Sequence, residues 1–239
     1  MPEPEIAFFF DSDALIQILL TGQQKAFSIL HNDFGVSSFI MSEVEAEVRS
    51  NRKFGALVRI QFEEVLKNGS LKIANAADLE RLSEDLSAPI SLGDVREIGK
   101  DYALFAQKGE SYTHAAGVLL QTPTISNDVN AIRSLEANSK RLPPNIFRSF
   151  DLFAFLHAEG YIDIRVAERI LKTLKTYGEW IPRCLLHSSF EKGIGGIGCR
   201  LLTSLGTSSS STEWSAPFFL KRKTKDTVSS EYPPLSEID

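Results

Sequence analysis

Ile6-Ala7-Phe8-Phe9-Phe10-Asp11-Ser12-Asp13 is the stretch that decides the fold of this chain. Five consecutive apolar residues without polar alternation suit a strand buried on both faces, the condition of a strand inside a parallel sheet. The run stops at Asp11 and Asp13, and from Ala14 the apolar residues Leu15, Ile16, Leu19 and Leu20 recur at helical spacing. The carboxylates therefore fall where a strand hands over to a helix, at the carboxyl edge of the sheet.

Downstream the same grammar repeats. Val36 to Met41 reads as a strand and Glu43 to Val48 as the start of a helix, with Ser42 as its N-cap and Ser42 and Glu45 at capping-box spacing. Helical periodicity covers 54–66, a short strand fits 71–74, and helices are expected near 78–86 and 94–107, separated by Pro89 and Gly93. Gly109-Glu110 opens a helix that stops before Pro123. Thr124-Ile125-Ser126 is a strand running into Asn127-Asp128, and a helix carrying Ile132 and Leu135 follows. After Pro143-Pro144, two more helices are expected over 150–157 and 163–177. Strands alternating with helices predict an α/β fold with a mainly parallel central sheet.

With 239 residues, 43% of them hydrophobic, the chain can bury a core without disulfide or metal support, which excludes a wholly disordered or fibrous protein. One domain is expected over 1–187. Beyond it the composition shifts to glycine, serine and a Lys221-Arg222-Lys223 cluster, so 188–239 reads as a flexible tail. Cys184 and Cys199 lack CxxC spacing, which argues against a zinc site or a disulfide framework. No run reaches the roughly 18 apolar residues of a membrane helix. The opening MPEPEI lacks the basic start of a secretory signal, so a cytoplasmic chain without a membrane partner is expected. The net charge of −5 does not advertise bulk electrostatic binding of nucleic acid. It resides in residues 1–187, with 20 basic against 25 acidic side chains, because the tail carries six of each.

Ligand sites in open α/β sheets lie beyond the carboxyl ends of the strands. Asp11 and Asp128 both occupy that position, and Glu47 and Glu110 lie near helix starts. Four carboxylates converging there would repel one another by about 1–4 kcal/mol per close pair without a cation. Hard oxygen donors without His or Cys select Mg²⁺ or Mn²⁺. Each acid also has a bland reading: Asp11 as a helix cap, and Glu43, Glu45, Glu47 and Glu110 as first-turn acids favoured by the helix dipole. At least two of Glu43, Glu45 and Glu47 are of that kind, and Glu47 is preferred over Glu43 as the site residue.

The segments FFFDSDALI, IMSEVEAEV, KGESYTHAAGVLL and TISNDVNAI together resemble the PIN-domain nucleases. The resemblance extends over most of 5–187, because FDLFAFLHAEGYID is similar to the segment that follows the last acid in a toxin-like subgroup with Gly-Glu opening the helix of the third acid. It implies a three-layer α/β/α fold with Asp11, Glu47, Glu110 and Asp128 as catalytic and metal-binding residues. It further implies an endoribonuclease that uses Mg²⁺ or Mn²⁺ to cleave single-stranded RNA, leaving 5′-phosphate and 3′-hydroxyl ends. A place in a toxin–antitoxin pair, an antitoxin-like partner and a homodimer also follow from it. Asp13, Ser126 and Asn127 are candidates for orienting water or the acids.

Asp11-Ser-Asp13 also resembles the DxD motif of haloacid-dehalogenase-type phosphatases, where the first Asp is a nucleophile and the second an acid/base. A PIN-like domain serving only as an RNA-binding or assembly module is the non-catalytic alternative. Arg49, Arg52 and Lys53, and separately Lys140, Arg141 and Arg148, are candidate backbone contacts or solvated charges. His31, His114, His157 and His187 share no spacing and read as core or surface residues. Gly193 to Gly198 lacks the preceding strand and the GK[ST] of a phosphate loop.

Overall fold

The computed structural model describes residues 6–179, 181, 182, 185, 189 and 190. Its elements are β1 (Ile6–Phe10), α1 (Ser12–Leu20), α2 (Lys25–Phe34), β2 (Val36–Ile40), α3 (Ser42–Ser50), α4 (Gly55–Lys67), β3 (Lys72–Ile73) and α5 (Ala76–Leu82). There follow α6 (Leu92–Tyr102), α7 (Lys108–Leu119), β4 (Thr124–Ile125), α8 (Val129–Ala137), β5 (Ile146–Phe147), α9 (Ser149–Ala158) and α10 (Ile164–Tyr177). The strands form one sheet in the order β3-β2-β1-β4-β5, and the pairs β1–β2, β1–β4 and β2–β3 are parallel. Backbone contacts divide the chain into two compact units between Ile146 and Phe147.

In the first unit β1 is central, which is why it is the most apolar strand. Phe8, Phe9 and Phe10 are all fully buried, each contributing about 1.5–3 kcal/mol of burial. Alternation sends them to opposite faces. Ala7 and Phe9 join Phe39, Leu79, Val95, Tyr112, Ala115 and Ala116 under α5, α6 and α7, with the Phe9 and Phe39 rings stacked at 5.5 Å. Phe10 meets Phe27 of α2 edge to face at 5.1 Å. Helices on both faces of a parallel sheet give the layered α/β architecture.

Several boundaries differ from the sequence expectation. Ser42 is the first residue of α3 and not its N-cap. Met41, extended and buried, takes that place, the Glu45 N–H bonds to the Met41 carbonyl, and Ser42 Oγ donates to Glu43, so the Ser42–Glu45 capping box does not form. Asp78 and Asp94, expected at helix starts, are third helical residues in capping boxes closed by Asn75 and Ser91. α5 and α6 accordingly start and end earlier than the spacing suggests. α2 has no counterpart in the sequence expectation. Only Ala26, Phe27 and Leu30 of it are buried and Gln24 makes no side-chain cap, but Gly35 stops it in the left-handed conformation (φ 65°) with its N–H on the Leu30 and His31 carbonyls.

In the second unit α9 is buried on every side, with Ser149 to Leu156 all enclosed, whereas α10 buries only Ala167, Ile170, Leu171 and Leu174. Asp163 caps α10, its Oδ1 accepting the Val166 N–H at 2.8 Å. Most of 188–239, including Cys199, Gly193 to Gly198 and the Lys221 cluster, lies outside the described residues, as do Cys184 and His187. No helix among the described residues is long and apolar enough to cross a membrane.

Candidate functional site

β1 and β4 lie side by side, but the chain leaves β1 toward β2 and leaves β4 toward β5, so the direction of winding reverses between them. Such a reversal opens a crevice at the carboxyl ends of the two strands. The register pairs Phe10 with Ile125, and the Asp11 N–H continues the ladder onto the Ile125 carbonyl at 2.9 Å. Asp11 thereby stands next to Ser126, on the following residue of each strand.

α7 brings the third acid. Glu110 is 2% exposed and Asp11 likewise. Ser126 Oγ lies 3.0 Å from Glu110 Oε1 and 3.3 Å from Asp11 Oδ2, and it accepts the Asp128 N–H at 3.4 Å. A hydroxyl has one proton to donate. With both carboxyls ionised, one of the two contacts would be an oxygen–oxygen approach without hydrogen, so the pair requires a proton or a cation. Behind Glu110, His114 Nε2 is 3.3 Å from the same Oε1, and His114 Nδ1 is 3.3 Å from Thr124 Oγ1.

Glu47 reaches the site from α3. Its Oε1 accepts the Gly109 N–H at 2.8 Å, filling the first turn of α7, where Gln107 makes no side-chain cap. The carboxylate lies so close that a Cβ on Gly109 would sit 2.7 Å from Glu47 Cδ, which explains the glycine before Glu110. Glu43 instead meets Ser42, so Glu47 is the α3 acid at this edge. Asp128 is half-buried, and its Oδ1 accepts the N–H groups of Asn130 and Ala131 as cap of α8. Asp11 also caps, with Oδ1 2.7 Å from the Ser12 N–H. Asp11, Glu47 and Asp128 thus each give an oxygen to a helix N–H at this edge.

Burial drives the electrostatics. It holds the Asp11 carboxyl well above the usual carboxylate range, reinforced by Glu110, Asp13 and Glu47 and opposed by the Ser12 N–H. Burial, then the charge of Asp128, pushes Glu110 up to about 9, while the Ser126 hydroxyl pulls it down. Burial lowers His114 to about 4, with Asp128 opposing, so its imidazole is neutral near pH 7. Ser126 and His114, which touch the two buried acids, therefore bring no positive charge.

Among the other sequence candidates, Asp13 is exposed on the first turn of α1 and Asn127 is buried. Arg49 is engaged by Glu45 at 2.8 Å and by Glu63, and lies over the Phe62 ring. Lys140 pairs with Asp101 at 2.6 Å, and Arg148 is buried as the residue before α9. These three are occupied within the fold. Arg52 and Lys53 are exposed in the α3–α4 connection.

Sequence reasoning reads His114 as a core or surface residue and Gly109 as the start of the Gly-Glu helix, and His114 is indeed buried; their closeness to Glu110 and Glu47 is what it did not single out. Their signal was the i,i+4 spacing of Glu110 and His114 in a helix buried from Gly109 to Gly117, where the two side chains have to share one enclosed face.

Among the described residues, no group of three or more His, Cys, Asp or Glu side chains is arranged to hold a metal ion. Two of the four acids meet through Ser126, and the other two have turned an oxygen to helix N–H groups. The donors nonetheless fit a hard divalent cation in kind: all are oxygens, and the raised values of the buried pair show that their ionised forms lack a compensating charge in the fold. No known family profile, curated protein or solved structure matches the chain.

Proposed function

We propose that this chain is a divalent-metal-dependent endoribonuclease of PIN type, hydrolysing phosphodiester bonds in single-stranded RNA, as the toxin of a toxin–antitoxin pair or a related RNA-processing enzyme. The observation that carries the reading is the buried Asp11–Ser126–Glu110 bridge at the point where the sheet reverses its winding. The preference for RNA rests on the resemblance of the four acidic segments.

Asp11 and Glu110 would hold Mg²⁺ or Mn²⁺, with Asp128 and Glu47 at its margin. A divalent cation in such a site supplies neutralisation of phosphate charge and a more acidic water. Ser126 sets the separation of the two buried carboxyls and is itself fixed by the Asp128 N–H. The cap on α8 uses Asp128 Oδ1 alone, so Oδ2 takes no part in it. Phosphatase chemistry through Asp11 and Asp13 has less support. A carboxylate nucleophile must be ionised, and Asp13 acts on Asp11 in the opposite sense.

Cleavage of a single-stranded RNA oligonucleotide with Mg²⁺ or Mn²⁺ tests the proposal. The parent is expected to cut and to stop on chelation, and Asp11→Asn and Asp128→Asn are expected to be inactive. Variants that cut as fast as the parent refute it. A parent that neither cuts nor binds Mn²⁺ in calorimetry favours the non-catalytic module.

A further inference from the structure

α10 gathers positive charge on one side. At about 100° per residue, Arg165, Arg169 and Lys172 fall within a sector of about 60°. The residues that the helix buries, Ala167, Ile170, Leu171 and Leu174, lie on the opposite side. All three basic residues are exposed, and no carboxylate among the described residues pairs with them. The neighbouring acids are placed elsewhere. Asp163 gives Oδ1 to the first turn of α10, and Glu168 gives Oε1 to the Phe190 N–H at 2.6 Å. Glu159 and Glu179 lie outside the helix, before and after it.

This arrangement works against the helix itself. Arg165 is the second residue of α10, where the helix dipole favours an acid, and Arg165 and Arg169 are like charges one turn apart. A face that only keeps a protein solvated is better served by acids and bases interleaved at that spacing. An unmixed row suits an anionic partner, whose charge removes both penalties.

The shape of the row selects the kind of anion. With a rise of about 1.5 Å per residue, its members follow one another at about 6 and 4.5 Å along the axis. They present a line of single charges, as a phosphodiester chain does, and guanidinium groups fork onto phosphate oxygens. Tyr161 and Tyr177, both exposed, flank the row in sequence and supply aromatic rings of the kind on which bases stack. An anionic membrane fits less well. A helix that lies on lipid inserts its apolar side, and α10 buries that side in the protein. Residues 1–146 carry 14 basic against 20 acidic side chains, so a polyanion is not attracted by their net charge and needs a local row. We propose that the Arg165–Arg169–Lys172 face of α10 binds the sugar–phosphate backbone of single-stranded RNA without regard to base sequence. The inference deepens the nuclease reading and rests on it for the choice of RNA.

The test is fluorescence anisotropy of two labelled single-stranded RNA oligonucleotides of unrelated sequence, titrated with the whole protein in chelator at about 50–200 mM salt. The parent is expected to bind both alike. The triple variant Arg165→Gln, Arg169→Gln, Lys172→Gln is expected to bind both about 10–100-fold more weakly near 0.1 M salt. Its slope of log affinity against log salt should be shallower by about 2, since each phosphate contact on a single strand contributes about 0.7. Arg165→Lys with Arg169→Lys keeps the charge and is expected to keep the slope. Lys67→Gln, Arg96→Gln and Lys100→Gln, at exposed positions of the first unit, remove as much charge and are expected to leave affinity within a few-fold. An α10 triple variant with parental affinity and slope overturns the proposal, as does an equal loss in the first-unit variant. A parent that does not bind RNA overturns it too, whether or not it binds poly-glutamate or phosphatidylserine vesicles. The nuclease reading is decided separately. RNA held by α10 but left uncut with Mg²⁺ or Mn²⁺ sinks that reading alone, and cleavage by a parent whose triple variant binds normally sinks only the α10 face.

Discussion

Without a bound cation, the buried acids are a burden whose size depends on pH. The Glu110 carboxyl moves from an ordinary 4.5 to about 9 on folding. A raised acid keeps its proton in the folded protein while the unfolded chain loses it, so its contribution to stability falls as pH rises from the unfolded value to the folded one. His114 works against this lower down. Its value falls from 6.5 to about 4, so the unfolded chain binds the extra proton and stability rises with pH between those limits. The two contributions oppose each other up to about pH 6.5, and above it Glu110 is left. From there to pH 9 the loss is about 1.4 kcal/mol per pH unit, or about 3 kcal/mol in all. Asp11, also raised, adds in the same sense.

For a chain of this size, about 3 kcal/mol corresponds to a fall of about 6–12 °C in melting temperature. Urea or thermal unfolding in chelator at steps between pH 6.5 and 9 measures it. Glu110→Gln, which imitates the protonated acid, is expected to flatten the slope and to exceed the parent in stability at the alkaline end. A metal-free parent equally stable at pH 6.5 and 9, or a Glu110→Gln variant with the parental slope, would show that Glu110 does not titrate as its burial requires.

Two further substitutions probe how the edge is built. Gly109→Ala would ordinarily stabilise a helix by about 1 kcal/mol. Here the new Cβ displaces Glu47 and forfeits a hydrogen bond to a charged acceptor worth about 1.5–3 kcal/mol, so urea unfolding should show a net loss of about 0.5–2 kcal/mol, and a gain would disprove the Glu47 contact. Asp163→Ala removes the cap of α10 and is expected to cost about 0.5–2 kcal/mol, with Asp163→Asn close to the parent.

Much of the fold was legible because burial on both faces leaves an unmistakable apolar run. Phe8-Phe9-Phe10 announces the central strand, and the residues after each such run mark the sheet edge whatever the later packing. Helix starts were less legible where the cap was not the expected residue. Met41, with no capping side chain, begins α3 because its burial holds it extended. α2 escaped because three buried residues make too faint a stripe.

The site was legible to the level of residues but not of atoms. A strand-to-helix junction offers a carboxylate two employments, since the helix it opens presents bare N–H groups at the same edge where a ligand would sit. Spacing places Asp11, Glu47, Glu110 and Asp128 at that edge but cannot say which oxygen goes where. The structure assigns Asp128 Oδ1 to α8 and Glu47 Oε1 to α7, and turns Glu110 toward Ser126 and His114. Each helix N–H satisfied by an acid is one oxygen withdrawn from a cation. Glu110 spends neither oxygen on a cap among its described bonds, and burial, then the charge of Asp128, pushes it up to about 9, so near neutral pH it keeps its proton unless a cation takes the proton's place.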